Sequence, residues 1–244
     1  MPTHHRIPVD GDETVDAVVH SAPSDEWLVC CHGFLSDKSG SYESRCLRAV
    51  DEGHNAVRFD FRGCGDSDGA FRDQTLGSRI ADLRAVLDHF DRDAYAVFGS
   101  SFGAKVAFHA AVDDDRIRAV AGRAPVTANG AFDDVRATVA QEGAYQYDTG
   151  QTVDHRFFDD LRGYPFDRVT ATLDVPVALF HGGADQRVPL SDSLDAAADF
   201  ETSVLLQTFP AEGHRFSEPA EARLRRQLFD WLALDDVDVS ASVG

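Results

Sequence analysis

The sequence predicts an α/β domain built on a doubly wound, mostly parallel sheet of about eight strands. Two observations predict it. Short apolar runs recur along the chain without the polar alternation of a half-exposed strand, and longer segments with helical periodicity lie between them. At 244 residues with 43% hydrophobic side chains, the chain is also long enough for one large domain of this kind with a sizeable core.

The elements follow in order. Arg6 to Val9 and Thr14 to His20 flank Gly11 and read as an antiparallel hairpin at the sheet edge. Trp27 to Gly33 (WLVCCHG) is the first strand buried on both faces, followed by a helical pattern over Ser41 to Glu52. Ala56 to Arg62 (AVRFDFR) precedes a helix over Leu76 to Phe90, and Tyr95 to Ser100 (YAVFGS) precedes one over Phe102 to Val112. Ala119 to Val126 is a further strand. Val175 to Gly183 (VPVALFHGG) leads into a helix over Ser191 to Phe200, and Ser203 to Pro210 (SVLLQTFP) into a last one over Pro219 to Leu234. Strand, helix, strand repetition at this spacing requires right-handed crossovers and parallel neighbours.

Residues 123–172 break the alternation. They carry Gly130, Gly143, Gly150 and Gly163 among the aromatics Phe132, Tyr145, Tyr147, Phe157, Phe158, Tyr164 and Phe166, and are too long for an ordinary connection. They are expected to form a lid-like insertion over the carboxyl edge of the sheet. The tail at 235–244 (DDVDVSASVG) is expected to be flexible. With no repeat and no low-complexity linker, residues 1–244 are expected to form a single domain.

The formal net charge is −19, carried by 33 Asp and 9 Glu against 21 Arg and only two lysines, Lys38 and Lys105. Such a polyanion is repelled by nucleic acid and by anionic membranes, so neither is expected as a partner. The composition is similar to that of haloarchaeal proteins, whose hydrated carboxylates suit multimolar salt that screens their repulsion to a few Å. The competing account is an ordinary acidic protein from a GC-rich genome; GC bias explains Arg over Lys but does not explain −19. Cys30 and Cys31 are adjacent, hence on opposite faces of a strand, and Cys46 and Cys64 lack C-x-x-C spacing, so buried free thiols are expected. MPTHHRIPVD has no apolar signal core and no window approaches ~18 apolar residues. A cytoplasmic protein, monomeric or homodimeric, is expected.

The most specific chemical signal is Gly99-Ser100-Ser101-Phe102-Gly103, between a strand and a helical pattern. A G-x-S-x-G in that setting is a nucleophile elbow, a turn so tight that the residues two before and two after the nucleophile must lack side chains. Ser101 is therefore the candidate nucleophile, at a helix N-terminus whose dipole favours negative charge. A serine needs a base at the same sheet edge. His214, after the last buried strand, is placed there, whereas His32 and His181 sit in strand-closing His-Gly turns and are expected to be structural. The base needs a carboxylate to orient it, and Asp185 lies just beyond the preceding strand. The oxyanion of acyl transfer needs donors, for which the backbone N–H groups of Phe34 and Phe102 are the expected pair. The segment Arg62-Gly63-Cys64-Gly65-Asp66-Ser67 is expected to be a structural loop.

In order and spacing, CCHGFLSDKSG, RFDFRGCGDSDGAF, FGSSFGAK, PVALFHGGADQRVP and EGHRF resemble the α/β-hydrolase superfamily over about residues 25 to 235. They look most like its serine-aminopeptidase-like (S33-type) and feruloyl/cinnamoyl esterase-like members. The resemblance implies a Ser101, Asp185, His214 triad, oxyanion amides at Phe34 and Phe102, and no cofactor or metal. It also implies a lid over an acyl or aryl pocket at 123–172. The insertion shows little of the hydrophobic helical cap of lipases, so short-chain or aryl carboxylic esters are expected as substrates. An aminopeptidase or acyltransferase on the same triad is the alternative, with Asp133, Asp134, Asp159 and Asp160 as candidate anchors for a substrate amine. A non-catalytic binding protein on the fold is the alternative of a different class.

Overall fold

Residues 2–241 are described in a computed structural model. β1 (Thr3–Asp10) and β2 (Glu13–His20) form the antiparallel hairpin around Gly11. β3 (Trp27–Cys31), α1 (Ser41–Asp51), β4 (Asn55–Phe59), α2 (Leu76–Phe90), β5 (Tyr95–Ser100), α3 (Phe102–Ala111) and β6 (Ile117–Arg123) then alternate. α4 (Asp133–Glu142), the small antiparallel pair β7 (Ala144–Gln146) and β8 (Thr152–Asp154), α5 (His155–Leu161) and α6 (Phe166–Thr172) interrupt the pattern. It resumes with β9 (Val177–Gly182), α7 (Leu190–Asp199), β10 (Val204–Phe209) and α8 (Glu218–Ala241). Eight strands form one sheet in the order β1-β2-β4-β3-β5-β6-β9-β10, parallel from β4 to β10. β2 joins β4 antiparallel.

Successive strand side chains cover opposite faces, and this divides the core in two. Val29, Cys31, Val97, Val120, Val177 and Leu179 meet α2, α3 and α7, while Leu28, Cys30, Phe98, Ala121, Ala178 and Phe180 meet α1 and α8. All four cysteines are free and buried. α1 contributes Tyr42, Cys46 and Ala49, spaced for one helical stripe. α2 starts where Thr75 and Ser78 form a reciprocal capping box, Thr75 Oγ1 accepting from the Ser78 N–H at 3.0 Å.

Three details differ from the sequence expectation. β6 ends at Arg123 instead of continuing to Val126, because Ala124 adopts a left-handed φ of 46° and turns the chain away; Arg123 belongs to the sheet and not to the insertion. The segment that follows contains three helices and buries Phe132, Val139, Val153, Phe157, Phe158 and Leu161, more apolar helical packing than its glycines suggest. α8 continues past Leu234 to Ala241, through most of the expected tail, while residues 242–244 lie outside the described residues.

Both lysines are buried, in opposite circumstances. The Lys38 ammonium lies 2.9, 2.5 and 2.7 Å from carboxylate oxygens of Asp16, Asp60 and Asp66. Those acids form the one carboxylate cluster among the described residues close enough to share a cation, and Lys38 is that cation. Burial opposes its charge, but bonds to the three carboxylates hold its pKa above the ordinary lysine value. Lys105, on α3, is fully buried; its Nζ has no hydrogen-bond partner among the described residues and faces the Phe166 ring at 5.3 Å.

Burial pushes the Lys105 pKa down to about 8, against ~10.4 in an unfolded chain. Below pH 8 both states are protonated and the full cost, about 3 kcal/mol, falls on the folded state. Between pH 8 and ~10.4 the unfolded chain binds more protons, so stability rises with pH. Lys105→Met is therefore expected to be more stable than the parent protein at pH 7, with the difference shrinking by pH 10. Denaturant titrations of both proteins at the two pH values check this; a destabilised variant at pH 7 contradicts it.

Candidate active site

The register of the sheet brings the candidate residues to one edge. β3, β5, β6, β9 and β10 are consecutive neighbours running in one direction, so their carboxyl ends open together, roughly 4.8 Å apart from strand to strand. Cys31 pairs with Gly99, Ser100 with Arg123, Arg123 with Phe180 and Phe209 with Gly182. The residues just past those pairings are Phe34, Ser101, Asp185 and His214, far apart in sequence and adjacent in space.

Ser101 sits in the turn between β5 and α3 at φ 54° and ψ −118°, a backbone conformation that costs a residue with a side chain on the order of 1–3 kcal/mol. The turn leaves no room on either side. A Cβ on Gly99 would lie 2.3 Å from the Ala104 Cα, and one on Gly103 would lie 2.4 Å from the carbonyl oxygens of Cys31 and His32. The Ser101 N–H donates to the Arg123 carbonyl at 2.8 Å, which ties the strained residue to β6.

His214 Nε2 lies 3.0 Å from Ser101 Oγ, and His214 Nδ1 lies 2.8 Å from Asp185 Oδ2. The Asp185 side chain is fully buried. Its other oxygen, Oδ1, accepts from the N–H groups of Arg187 at 2.8 Å and Val188 at 3.1 Å. Burial works against its ionisation, but hydrogen bonds from His181, His214 and those two amides outweigh it and hold its pKa well below the usual carboxylate range. A carboxylate ionised at neutral pH keeps the proton of His214 on Nδ1, which leaves Nε2 free to accept the Ser101 proton. The structure brings these three sequence-predicted residues together, and beside them it places His181, which the sequence assigns to a structural turn. His181 Nε2 lies 3.5 Å from Asp185 Oδ2, with its ring held by Ser193 Oγ at 2.7 Å and the Val188 carbonyl at 3.0 Å.

Phe34 and Phe102 flank the serine. Phe102 is the first residue of α3, where N–H groups lack helical partners. Among the described residues neither its N–H nor that of Phe34 donates to a protein acceptor in a loop or cap. A methyl group on Gly33 would sit 3.8 Å from the Ser101 Cβ, which measures how closely the loop after β3 approaches. His32 braces that loop: its Nε2 accepts from the Phe61 N–H at 3.1 Å, so its Nδ1–H donates to the Gly33 carbonyl at 2.8 Å. Complete burial pushes its pKa down to about 3, consistent with a neutral ring.

A cavity of about 860 Å³ opens over Ser101 and His214. Its lining includes the apolar residues Phe34, Val126, Phe132, Val135 and Tyr147. It also includes the charged residues Arg123, Arg187, Arg215, Glu218 and Glu221. Phe34 is the hub of the apolar residues, its ring centre within 6 Å of those of Phe71, Phe102, Phe132, Tyr147 and Phe157. Of the charged residues, Glu221 joins Arg45 at 2.7 Å and Arg123 at 3.2 Å. Of the four candidate amine anchors, Asp134 lines the cavity, whereas Asp133 and Asp159 are engaged by Arg136 and Arg162 and Asp160 accepts from the Gly77 N–H. Arg62-Gly63-Cys64-Gly65-Asp66-Ser67 lies outside the cavity lining and is tied down through Arg62 to Asp82 and Asp66 to Lys38.

The α/β hydrolase fold family model matches residues 26–148. Human palmitoyl-protein thioesterase ABHD10, mitochondrial, is 25% identical over 218 residues, covering 81% of this chain and 69% of that protein. The structure of mouse alpha/beta hydrolase domain-containing protein 10 superposes with a TM-score of 0.84 at 20% identity, covering 95% of this chain and 98% of that one. Est1E from Butyrivibrio proteoclasticus with ferulic acid bound gives 0.82 at 18% identity, covering 94% and 98%.

The strain at Ser101 has a measurable consequence. Both Ser101→Gly and Ser101→Ala remove the hydroxyl, but only glycine adopts this backbone without penalty. Ser101→Gly is expected to exceed Ser101→Ala in stability by roughly 1–2 kcal/mol in denaturant titration; equal midpoints contradict a strained turn.

Proposed function

Because the chain belongs to the α/β-hydrolase fold family, we propose that it is a serine hydrolase that cleaves short-chain or aryl carboxylic esters through an acyl-enzyme. The observation that carries this is the unbroken hydrogen-bonded chain from Ser101 Oγ through His214 to a buried Asp185, at 3.0 and 2.8 Å.

In this scheme Ser101 Oγ attacks the ester carbonyl while His214 Nε2 takes its proton. The tetrahedral oxyanion accepts from the N–H groups of Phe34 and Phe102. His214 then delivers the proton to the leaving alkoxide, the alcohol departs, and the acyl group stays on Ser101. A water that gives its proton to His214 attacks the acyl carbonyl, and collapse of the second tetrahedral intermediate returns the proton to Ser101 and releases the acid. Asp185 keeps His214 in the tautomer this needs and stabilises the imidazolium. The chemistry is complete without a cofactor. The aromatic lining of the cavity suits a short acyl or aryl group, and the segment after β6, which contributes Phe132 and Tyr147, acts as its lid.

Thioesters are a second substrate class for the same machinery, favoured by the likeness to a palmitoyl-protein thioesterase. A thiolate leaves with less help from His214 than an alkoxide, because thiol pKa values lie near 8.5. The acid excess supports a cytoplasm of multimolar salt as the working environment.

Ser101→Ala is expected to abolish turnover of p-nitrophenyl acetate and labelling by a fluorophosphonate, and Asp185→Asn to lower kcat roughly 10⁴-fold. Undiminished turnover by Ser101→Ala would falsify the mechanism. A panel of oxygen esters and thioesters with graded acyl chains ranks the two substrate classes. Dialysis from multimolar KCl to ~0.1 M is expected to unfold or inactivate the protein as unscreened carboxylates repel; full activity at low salt contradicts the halophilic assignment and leaves the hydrolase assignment standing.

A further inference from the structure

Arg79, in the first turns of α2, is fully buried behind the loop that carries Phe34. Its Nε donates to Gln74 Oε1 at 2.6 Å, and its Nη2 donates to the Phe34 carbonyl at 2.9 Å. Its Nη1 approaches the Gly33 carbonyl at 3.5 Å. The guanidinium carbon lies 5.2 Å from the ring centre of Phe34, 4.7 Å from that of Phe61 and 5.5 Å from that of Phe102. Among the described residues no carboxylate pairs with it; Asp82, on the same helix, is engaged by Arg62 at 2.6 Å. A guanidinium stays protonated in proteins. An ion is therefore buried here against carbonyls, an amide, the Cys64 thiol and aromatic faces, with no carboxylate bonded to it among the described residues. Burial of that kind is strongly unfavourable, and a methionine or leucine would fill a similar space without it.

We propose that Arg79 is a positioning residue for the oxyanion site: it fixes the peptides on both sides of Phe34 and polarises the Phe34 N–H toward the substrate. The proposal rests on the serine-hydrolase reading above. The Gly33 carbonyl and the Phe34 N–H belong to one trans peptide and point in opposite directions. Donors on the carbonyl, His32 at 2.8 Å and Arg79 at 3.5 Å, thus set the direction of the N–H and strengthen it as a donor, since bonds in a chain polarise one another. The Phe34 carbonyl belongs to the next peptide, so the 2.9 Å bond to Nη2 fixes the other side of the same residue. A positive charge with no carboxylate bonded to it is also what a transient oxyanion gains from, because it is favourable in the transition state and not in the neutral ester. A carboxylate bonded to Arg79 would cancel most of that field; among the described residues none is, and Asp82, within coulombic reach on the same helix, is bonded to Arg62.

The test compares the parent protein with Arg79→Met, Arg79→Lys and Gln74→Leu. Rates are normalised to active sites counted by fluorophosphonate labelling, so a variant that is only partly folded does not imitate a catalytic defect. For p-nitrophenyl acetate, Arg79→Met is expected to lower kcat by roughly 10–100-fold, somewhat less than loss of a whole oxyanion donor, with KM within about threefold. The affinity for a trifluoromethyl ketone, which forms the tetrahedral adduct, is expected to fall by the same factor. Arg79→Lys keeps the charge and is expected to recover part of the loss; Gln74→Leu, which frees the guanidinium to drift, is expected to lose several-fold in the same pattern. If Arg79→Met does not fold, the other two variants decide by the same measurements. Variants whose kcat and ketone affinity stay within twofold of the parent overturn the proposal, as do variants in which only KM changes. Turnover that survives Ser101→Ala overturns the parent reading and this one with it, whereas Ser101-dependent turnover that is indifferent to Arg79 and Gln74 overturns this one alone.

Discussion

A single backbone conformation organises the carboxyl edge of the sheet. Ser101 is held at φ 54° between a strand and a helix, and that turn exists only because Gly99 and Gly103 let the backbones of α3 and β3 pass within contact of it. The turn projects Ser101 off the sheet edge instead of into either face. It also begins α3 beside the loop after β3, which brings near the serine the N–H groups of Phe34 and Phe102, neither of which donates to a loop or cap acceptor among the described residues. β9 and β10, on the far side of β6, then present Asp185 and His214 toward the same point. The local strain is sustained by the rest of the fold: the parallel register, the Ser101 bond to Arg123 and the buried faces of α3 all depend on contacts far from the serine.

Charge is distributed by the same logic of environment. The outside carries the acid excess, and the inside carries a few basic groups, each satisfied differently. Lys38 is enclosed by three carboxylates and binds the loop after β3 to β4, with its own N–H on Asp60 at 2.6 Å. Arg45 and Arg123 share Glu221. Arg79 has carbonyls and aromatic rings in place of a bonded acid, and Lys105 has, among the described residues, an aromatic ring and no hydrogen-bond partner. The first two arrangements are ion pairs that hold loops and helices in place. The third places a charge with no bonded acid behind the peptide of Phe34, and the fourth has no evident structural benefit to offset its cost.

Much of the fold was legible because parallel strands buried on both faces leave a plain signature. β5 and α2 fall where the apolar pattern begins and ends, and the other central elements are displaced by a few residues at most. The misplaced boundaries share a cause: chain direction was decided by contacts remote in sequence. Ala124 turns out of β6 with its N–H on the Phe180 carbonyl at 2.8 Å, a bond to a strand not yet formed when the chain is read in order. The insertion looked sparse because its helices are short and its glycines conspicuous, yet Phe132 and Phe157 pack on Phe34 and Phe102 from across the site.

By itself the sequence determined the sheet, the elbow and the order Ser101, Asp185, His214, because these depend on periodicity, on the absence of side chains at Gly99 and Gly103, and on position after a strand. Only the tertiary structure decided what surrounds them. That His181 also faces Asp185, that Arg79 reaches the carbonyls of Gly33 and Phe34, and that Arg123 lies beside Ser100 all follow from strand order and helix packing. No local pattern marks such residues, since an arginine in a helix reads the same whether it points to water or to the core.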